Sequence, residues 1–167
     1  MNEFHALSWL HLVSALAGIA LISVVCGMSI RRPTNERLVR RGWMVGIVLV
    51  QGFSVVWYLT RRPIDWSIAL PLQVCDLAGW LGLIALATRQ RVWQTTLFYW
   101  AVGLSTQAFL TPTVHEGPAH LKFWLFWATH TQIIGSAAYD CFVLKYRPAW
   151  RDYFMGMASI VIYFLSL

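Results

Sequence analysis

The run from 67 to 88, SIALPLQVCDLAGWLGLIALAT, is long and apolar enough to cross a membrane, yet it holds Cys75 and Asp76 within it. A helix needs about 20 apolar residues to span the hydrocarbon. An ionised side chain near its centre costs about 3 kcal/mol on insertion scales and more than that in simulations. A chain keeps such a residue where something in the bundle pairs with it or uses it. The run therefore demands a lipid-compatible element and a partner at the same depth.

Five further segments have the same character: 5–30, 42–60, 92–111, 119–144 and 152–167. The chain is 58% hydrophobic and 12% charged, where a soluble domain carries about 25% charged residues. These features predict an all-α, polytopic transmembrane bundle of about six helices, a single integral membrane domain over 1–167. Alternation at period two is missing, which excludes a barrel. Arg-Pro steps at 32–33, 62–63 and 147–148, with Pro112 and Pro118, mark the connections. Pro71 falls one turn into the third segment, where its missing N–H is tolerable. The first segment exceeds a signal-peptide core and no small-residue cleavage site follows it, so it reads as a retained helix. Only about 15 apolar residues remain in the last segment, which predicts a short or truncated final helix.

The net charge of +6 invites a nucleic-acid reading, but the positions argue against it. Arg31, Arg32, Arg37, Arg40 and Arg41 fall in one connection, Arg89 and Arg91 in another, and Lys145, Arg147 and Arg151 in a third. These alternate connections hold ten of the thirteen Lys and Arg residues. The basic excess is thus a topology signal that puts those loops in the cytoplasm and the N-terminus outside. Membrane lipids are the expected environment and partner; nucleic acid is not. Cys26, Cys75 and Cys141 show neither a CxxC nor a metal spacing, so no disulfide framework or metal site is expected.

Depth follows from the helical rise. Cys75 lies eight residues past the start of its segment, about 12 Å down, and His130 about 15 Å down from the same side of the membrane. A thiol becomes a strong nucleophile as thiolate, and a neighbouring imidazole can take its proton. The bland alternative is a small buried Cys and a hydrogen-bonded packing His. The fourth segment carries a polar stripe of Thr95, Thr96, Tyr99, Gly103, Thr106 and Gln107 within about 120° of a wheel at 100° per residue. In lipid such a stripe turns to the bundle interior or a wet cavity. Gln107 could then donate to a developing oxyanion, or simply bond between helices. Asp76 sits beside Cys75 but about 100° round the helix, as a site residue or a structural polar contact. His11 is a reserve base, and Trp127, with Trp124, could wall a lipid-sized cavity beside His130. Haem would need facing His residues at one depth, which His11 and His130 meet only loosely. No cofactor is implied, and no GxSxG, HExxH or Gly-rich phosphate loop occurs.

At LPLQVCDLAGW (70–80) and FLTPTVHEGPAHLKFWLFWATHTQII (109–134) the chain resembles the YwaF-like bacterial integral membrane proteins. That family is distantly similar to animal multi-helix lipid enzymes. These include a Cys/His acyltransferase making polyunsaturated ether phospholipids and Thr/His hydrolases of fatty-acid esters of hydroxy fatty acids. The resemblance implies a multi-pass protein of the bacterial inner (cytoplasmic) membrane, with Cys75 as nucleophile and His130 as base. It differs in carrying Gln73 where YwaF-like proteins often have His, and in lacking their later Asn-Tyr stretch. The expected function is a lipid acyltransferase or lipid-ester hydrolase; the alternatives are a small transporter or ligand-binding bundle, or a structural membrane protein.

Overall fold

The structure is a computed structural model that describes residues 4–61, 63 and 72–166. Among these residues it is all-helical, with no strand. Helix α1 (Trp9–Arg31) starts at Ser8, whose Oγ accepts the His11 N–H at 3.2 Å, an N-cap that satisfies one orphan donor. Its 23 residues make a rod of about 35 Å, enough to cross a bilayer core. A 3₁₀ turn (Pro33–Asn35), with proline in its first position, leads directly into α2 (Glu36–Thr60).

The first connection is therefore shorter than the arginines suggested. Arg37, Arg40 and Arg41 belong to α2, which begins at Glu36 rather than near 42. Glu36 sits at the positive end of the helix dipole, and Arg40 one turn later pairs with it at 2.8 Å.

Helix α3 spans Val74–Thr88. The predicted segment began at 67; Pro71 and 67–70 fall outside the described residues, while Leu72 and Gln73 form a turn and a bend. Arg89 closes α3 in the left-handed conformation (φ 55°), its N–H returning to the Ala85 carbonyl at 2.8 Å. Helix α4 (Arg91–Trp100) runs on through a π-helical segment (Ala101–Ser105) into one more turn (Gln107–Leu110). Helices α5 (Leu121–Phe142) and α6 (Trp150–Leu165) complete the order.

Helix α5 is the central post, with α1, α2, α3 and α4 packed round it; α6 leans on α4. Small residues permit the close approaches. A Cβ at Gly79 would overlap the Gln51 amide of α2, and one at Gly82 would come 3.0 Å from Ser136 Oγ of α5. Gly156 receives the Tyr99 ring, and Gly135 the Trp43 indole.

Polarity runs opposite to that of a soluble protein. Helix α1 exposes Leu12, Leu16, Ile19, Val24 and Met28 while burying His11, Gly18 and Ser29. Gln51, Ser54, Thr95, Ser105, Thr129, His130, Ser136 and Asp140 are likewise inside. Apolar side chains outward and hydroxyls, amides and imidazoles inward is the arrangement that lipid demands. Among the described residues, α1 and the stretch Pro33–Thr60 are long and apolar enough to cross a membrane.

One end of the bundle is rich in arginine and is tied by ion pairs. Glu36 accepts from Arg40 at 2.8 Å and from Arg89 at 3.3 Å, and the Tyr139 hydroxyl donates to it at 3.2 Å. Arg91 of α4 holds Asp152 of α6 through two oxygens, at 3.0 and 2.5 Å. Nearby, burial pushes the Tyr146 phenol in the α5–α6 connection up to about 12.

Candidate active site

The site lies at the opposite end, where α3 begins. Gln73 is extended (φ −65°, ψ 147°) and accepts the first helical bond, from the Leu77 N–H at 3.1 Å. Asp76, three residues on, stands in the same first turn, where a carboxyl suits the positive end of the helix dipole. Cys75 is thus the second residue of α3, not the eighth or ninth. It stands among the first-turn N–H groups that α3 cannot satisfy, where the helix dipole favours negative charge on the sulfur.

His130 comes from the middle of α5 and is 7% exposed. Its Nδ1 lies 2.8 Å from the Phe126 carbonyl, and its ring stacks on Phe126 at 4.3 Å between centroids. A carbonyl oxygen only accepts, so Nδ1 carries the proton and donates. That leaves Nε2 with a free lone pair, and Nε2 stands 3.2 Å from Cys75 Sγ. The Cys75 thiol therefore donates to a nitrogen able to take its proton. The backbone carbonyl plays the orienting part that a carboxylate plays in other triads.

The pair opens into a cavity of about 220 Å³ lined also by Ser54 and Tyr58 of α2, Asp76, Thr129 and Lys122. Lys122 bonds Glu116 of the preceding loop at 2.8 Å, which holds that carboxyl below the ordinary glutamate range. Asp76 is anchored through its main chain, its carbonyl accepting from Gln51 Nε2 at 3.2 Å.

Cys75, His130 and Asp76 come together; the remaining candidates do not join them. His11 has both ring nitrogens engaged: Nδ1 accepts the Leu7 N–H at 2.9 Å and Nε2 donates to the Phe109 carbonyl at 2.8 Å. Trp127 packs on His11, Phe4 and Phe109, and with Trp124 lines a separate cleft of about 520 Å³ between α1, α2 and α5. Tyr99 packs against Gly156 of α6. Thr106 bonds back to the Val102 carbonyl at 2.6 Å, and Gln107 is exposed.

The stripe expected on α4 needs correction, for a definite reason. The π-helical segment carries an i→i+5 bond, Thr106 N–H to Ala101 carbonyl at 3.0 Å. One extra residue in a turn rotates everything beyond it by about 100°. Thr95 and Thr96 are buried as expected, but at the end of the π segment it is Ser105, and neither Thr106 nor Gln107 just beyond it, that is fully buried. Tyr58, Ser54 and Gln51 were also missed. They do form a stripe at helical spacing along α2, which the pattern of a single polar residue per turn would have revealed.

Helical, lipid-facing outside and polar within, with a Cys–His pair at one end, the molecule has the build of a membrane protein. A family comparison makes the assignment specific: the model of the TMEM164 family matches residues 4–167, and the chain belongs to this family of membrane proteins. No curated protein and no solved structure matches it.

Proposed function

We propose that the protein is a membrane-embedded lipid acyltransferase or lipid-ester hydrolase of the YwaF-like type, with Cys75 as nucleophile and His130 as base. The observation that carries this reading is the 3.2 Å contact between Cys75 Sγ and a His130 Nε2 whose lone pair is free because Nδ1 is committed to Phe126. His130 Nε2 takes the thiol proton, and the thiolate attacks the carbonyl carbon of a lipid ester. An S–C bond forms and the C=O pair moves onto oxygen. Collapse of this intermediate breaks the C–O bond, and His130 returns its proton to the leaving alkoxide. The resulting acyl-thioester is resolved by a lysolipid hydroxyl or by water, deprotonated in turn by His130, and the thiolate leaves.

The same reading places the chain in the bacterial inner membrane as a multi-pass protein with its N-terminus outside. Supporting it are the outward-facing leucines, isoleucines and valines and the ten basic residues in or beside alternate connections, at helix ends or in the loops between them. The cavity then opens toward the outer leaflet. To test the chemistry, purified protein in detergent is treated with a thiol-reactive acyl probe. The expected result is labelling of the wild type that Cys75→Ala abolishes; labelling that persists in Cys75→Ala overturns the assignment.

A further inference from the structure

Hydroxyls inside a membrane helix have an easy way to satisfy themselves, by turning back to the carbonyl four residues earlier. Most here do so: Ser14 bonds Leu10, Thr96 bonds Val92 and Ser136 bonds Gln132, at 2.7–3.0 Å. Two serines do not. Ser54 Oγ on α2 and Ser105 Oγ on the π-helical segment have no hydrogen-bond partner among the described residues, although Ser54 is 8% and Ser105 0% exposed. An orphaned buried hydroxyl is a cost that calls for a reason.

Each orphan has its own tie to the Cys75–His130 pair. Ser54 lines the cavity that holds Cys75 and His130, and the Ser105 hydroxyl lies beside the Cys75 sulfur. Ser105 is turned inward by the π turn, which gives the Ala101 carbonyl to the Thr106 N–H. Such single-turn distortions of an α-helix are a recurring mark of functional sites. The two hydroxyls come from different helices: Ser54 faces the cavity, and Ser105 lies against the Cys75 sulfur.

We infer that Ser54 and Ser105 form an oxyanion hole: their hydroxyls donate to the oxygen that becomes negative when the Cys75 thiolate adds to an ester carbonyl. This rests on the acyl-transfer reading above and adds the residues that bind its transition state. As the S–C bond forms, the C=O pair moves to oxygen and the two O–H groups donate to it. When the C=O re-forms and the C–O bond breaks, both donors are released. Donors aimed at a charge that exists only in the transition state accelerate the step without binding the ground state.

The test compares two reactions of the same sulfur. Acylation by p-nitrophenyl octanoate in detergent passes through an oxyanion; alkylation by iodoacetamide does not. Modification of Cys75 is followed by peptide mass spectrometry in the wild type, Ser105→Ala and Ser54→Ala. Expected is a fall of about 10²–10³-fold in acylation rate for Ser105→Ala, and a fall in the same direction for Ser54→Ala, with alkylation rates unchanged. Acylation unaffected in both variants overturns the oxyanion hole while leaving the Cys75 nucleophile standing. Acylation and alkylation falling together would make the serines positioning residues for the thiol and overturn it as well. A wild type that is alkylated at Cys75 but never acylated overturns the acyl-transfer reading, and this inference with it.

Discussion

Adding one methyl group to α3 tests whether α2 and α3 meet as described. Gly79 lies one turn beyond Cys75, and a Cβ there would overlap the Gln51 amide, which is 3% exposed and donates to the Asp76 carbonyl at 3.2 Å. Gly79→Ala must therefore push Gln51 off Asp76. Crowding a packed interior costs about 1–3 kcal/mol, and we take about 2 here because the displaced group is the end of a flexible side chain. Gln51→Ala alone removes one interhelical hydrogen bond, worth about 0.6 kcal/mol on average in a bilayer protein, and leaves space where the amide stood. In that background the same Gly79→Ala methyl meets no obstacle and gains about 1 kcal/mol from helix propensity. One substitution should thus reverse its sign, with a coupling of about 3 kcal/mol between the two positions. Denaturant unfolding of the four proteins in detergent micelles measures it. Equal effects of Gly79→Ala in both backgrounds would refute the packing of α2 on α3.

Three other outcomes follow from the remaining contacts. Glu36→Ala removes the carboxylate shared by Arg40, Arg89 and Tyr139 and should lower unfolding stability by about 2 kcal/mol while leaving Cys75 alkylation unchanged. Gly156→Val drives a side chain into Tyr99; amide hydrogen exchange should accelerate in α6 and not in α3. Lys122 depresses the Glu116 carboxyl, so their pair adds stability that is fully present above the unfolded value near 4.3. That stability is lost as pH falls through the lowered folded value. The unfolding midpoint of Glu116→Gln should depend less steeply on pH below about 4.3 than that of the wild type, and identical profiles would exclude a contribution from the pair.

Helix number and the inward turn of the polar groups were legible in the sequence because both are written as hydrophobic blocks with few exceptions inside them. The nearness of Cys75 and His130 was reached by counting helical rise, although Cys75 proves to be the second residue of α3, so similar depth held without the assumed start. What failed was uniform extrapolation. A wheel drawn through 92–111 assumes the same turn throughout, and the π segment broke that assumption between Tyr99 and Thr106. Ser54 and Ser105 were invisible for a different reason. A serine in an apolar helix ordinarily satisfies itself on its own backbone, and only coordinates show which ones do not. Arg37, Arg40 and Arg41 read as loop because charge marks membrane edges, yet a helix can extend past the lipid with its charges still attached.

The central claim is that Cys75 carries an acyl group handed to it with the help of His130. Its most direct measurement is the mass of the Cys75 peptide after the purified protein is incubated with a phospholipid, before and after neutral hydroxylamine. The expected result is an acyl adduct on Cys75, removed by hydroxylamine as a thioester must be. It should be missing in His130→Gln, which offers no base. An adduct that forms equally well in His130→Gln, or that sits on another residue in the wild type, would contradict the claim.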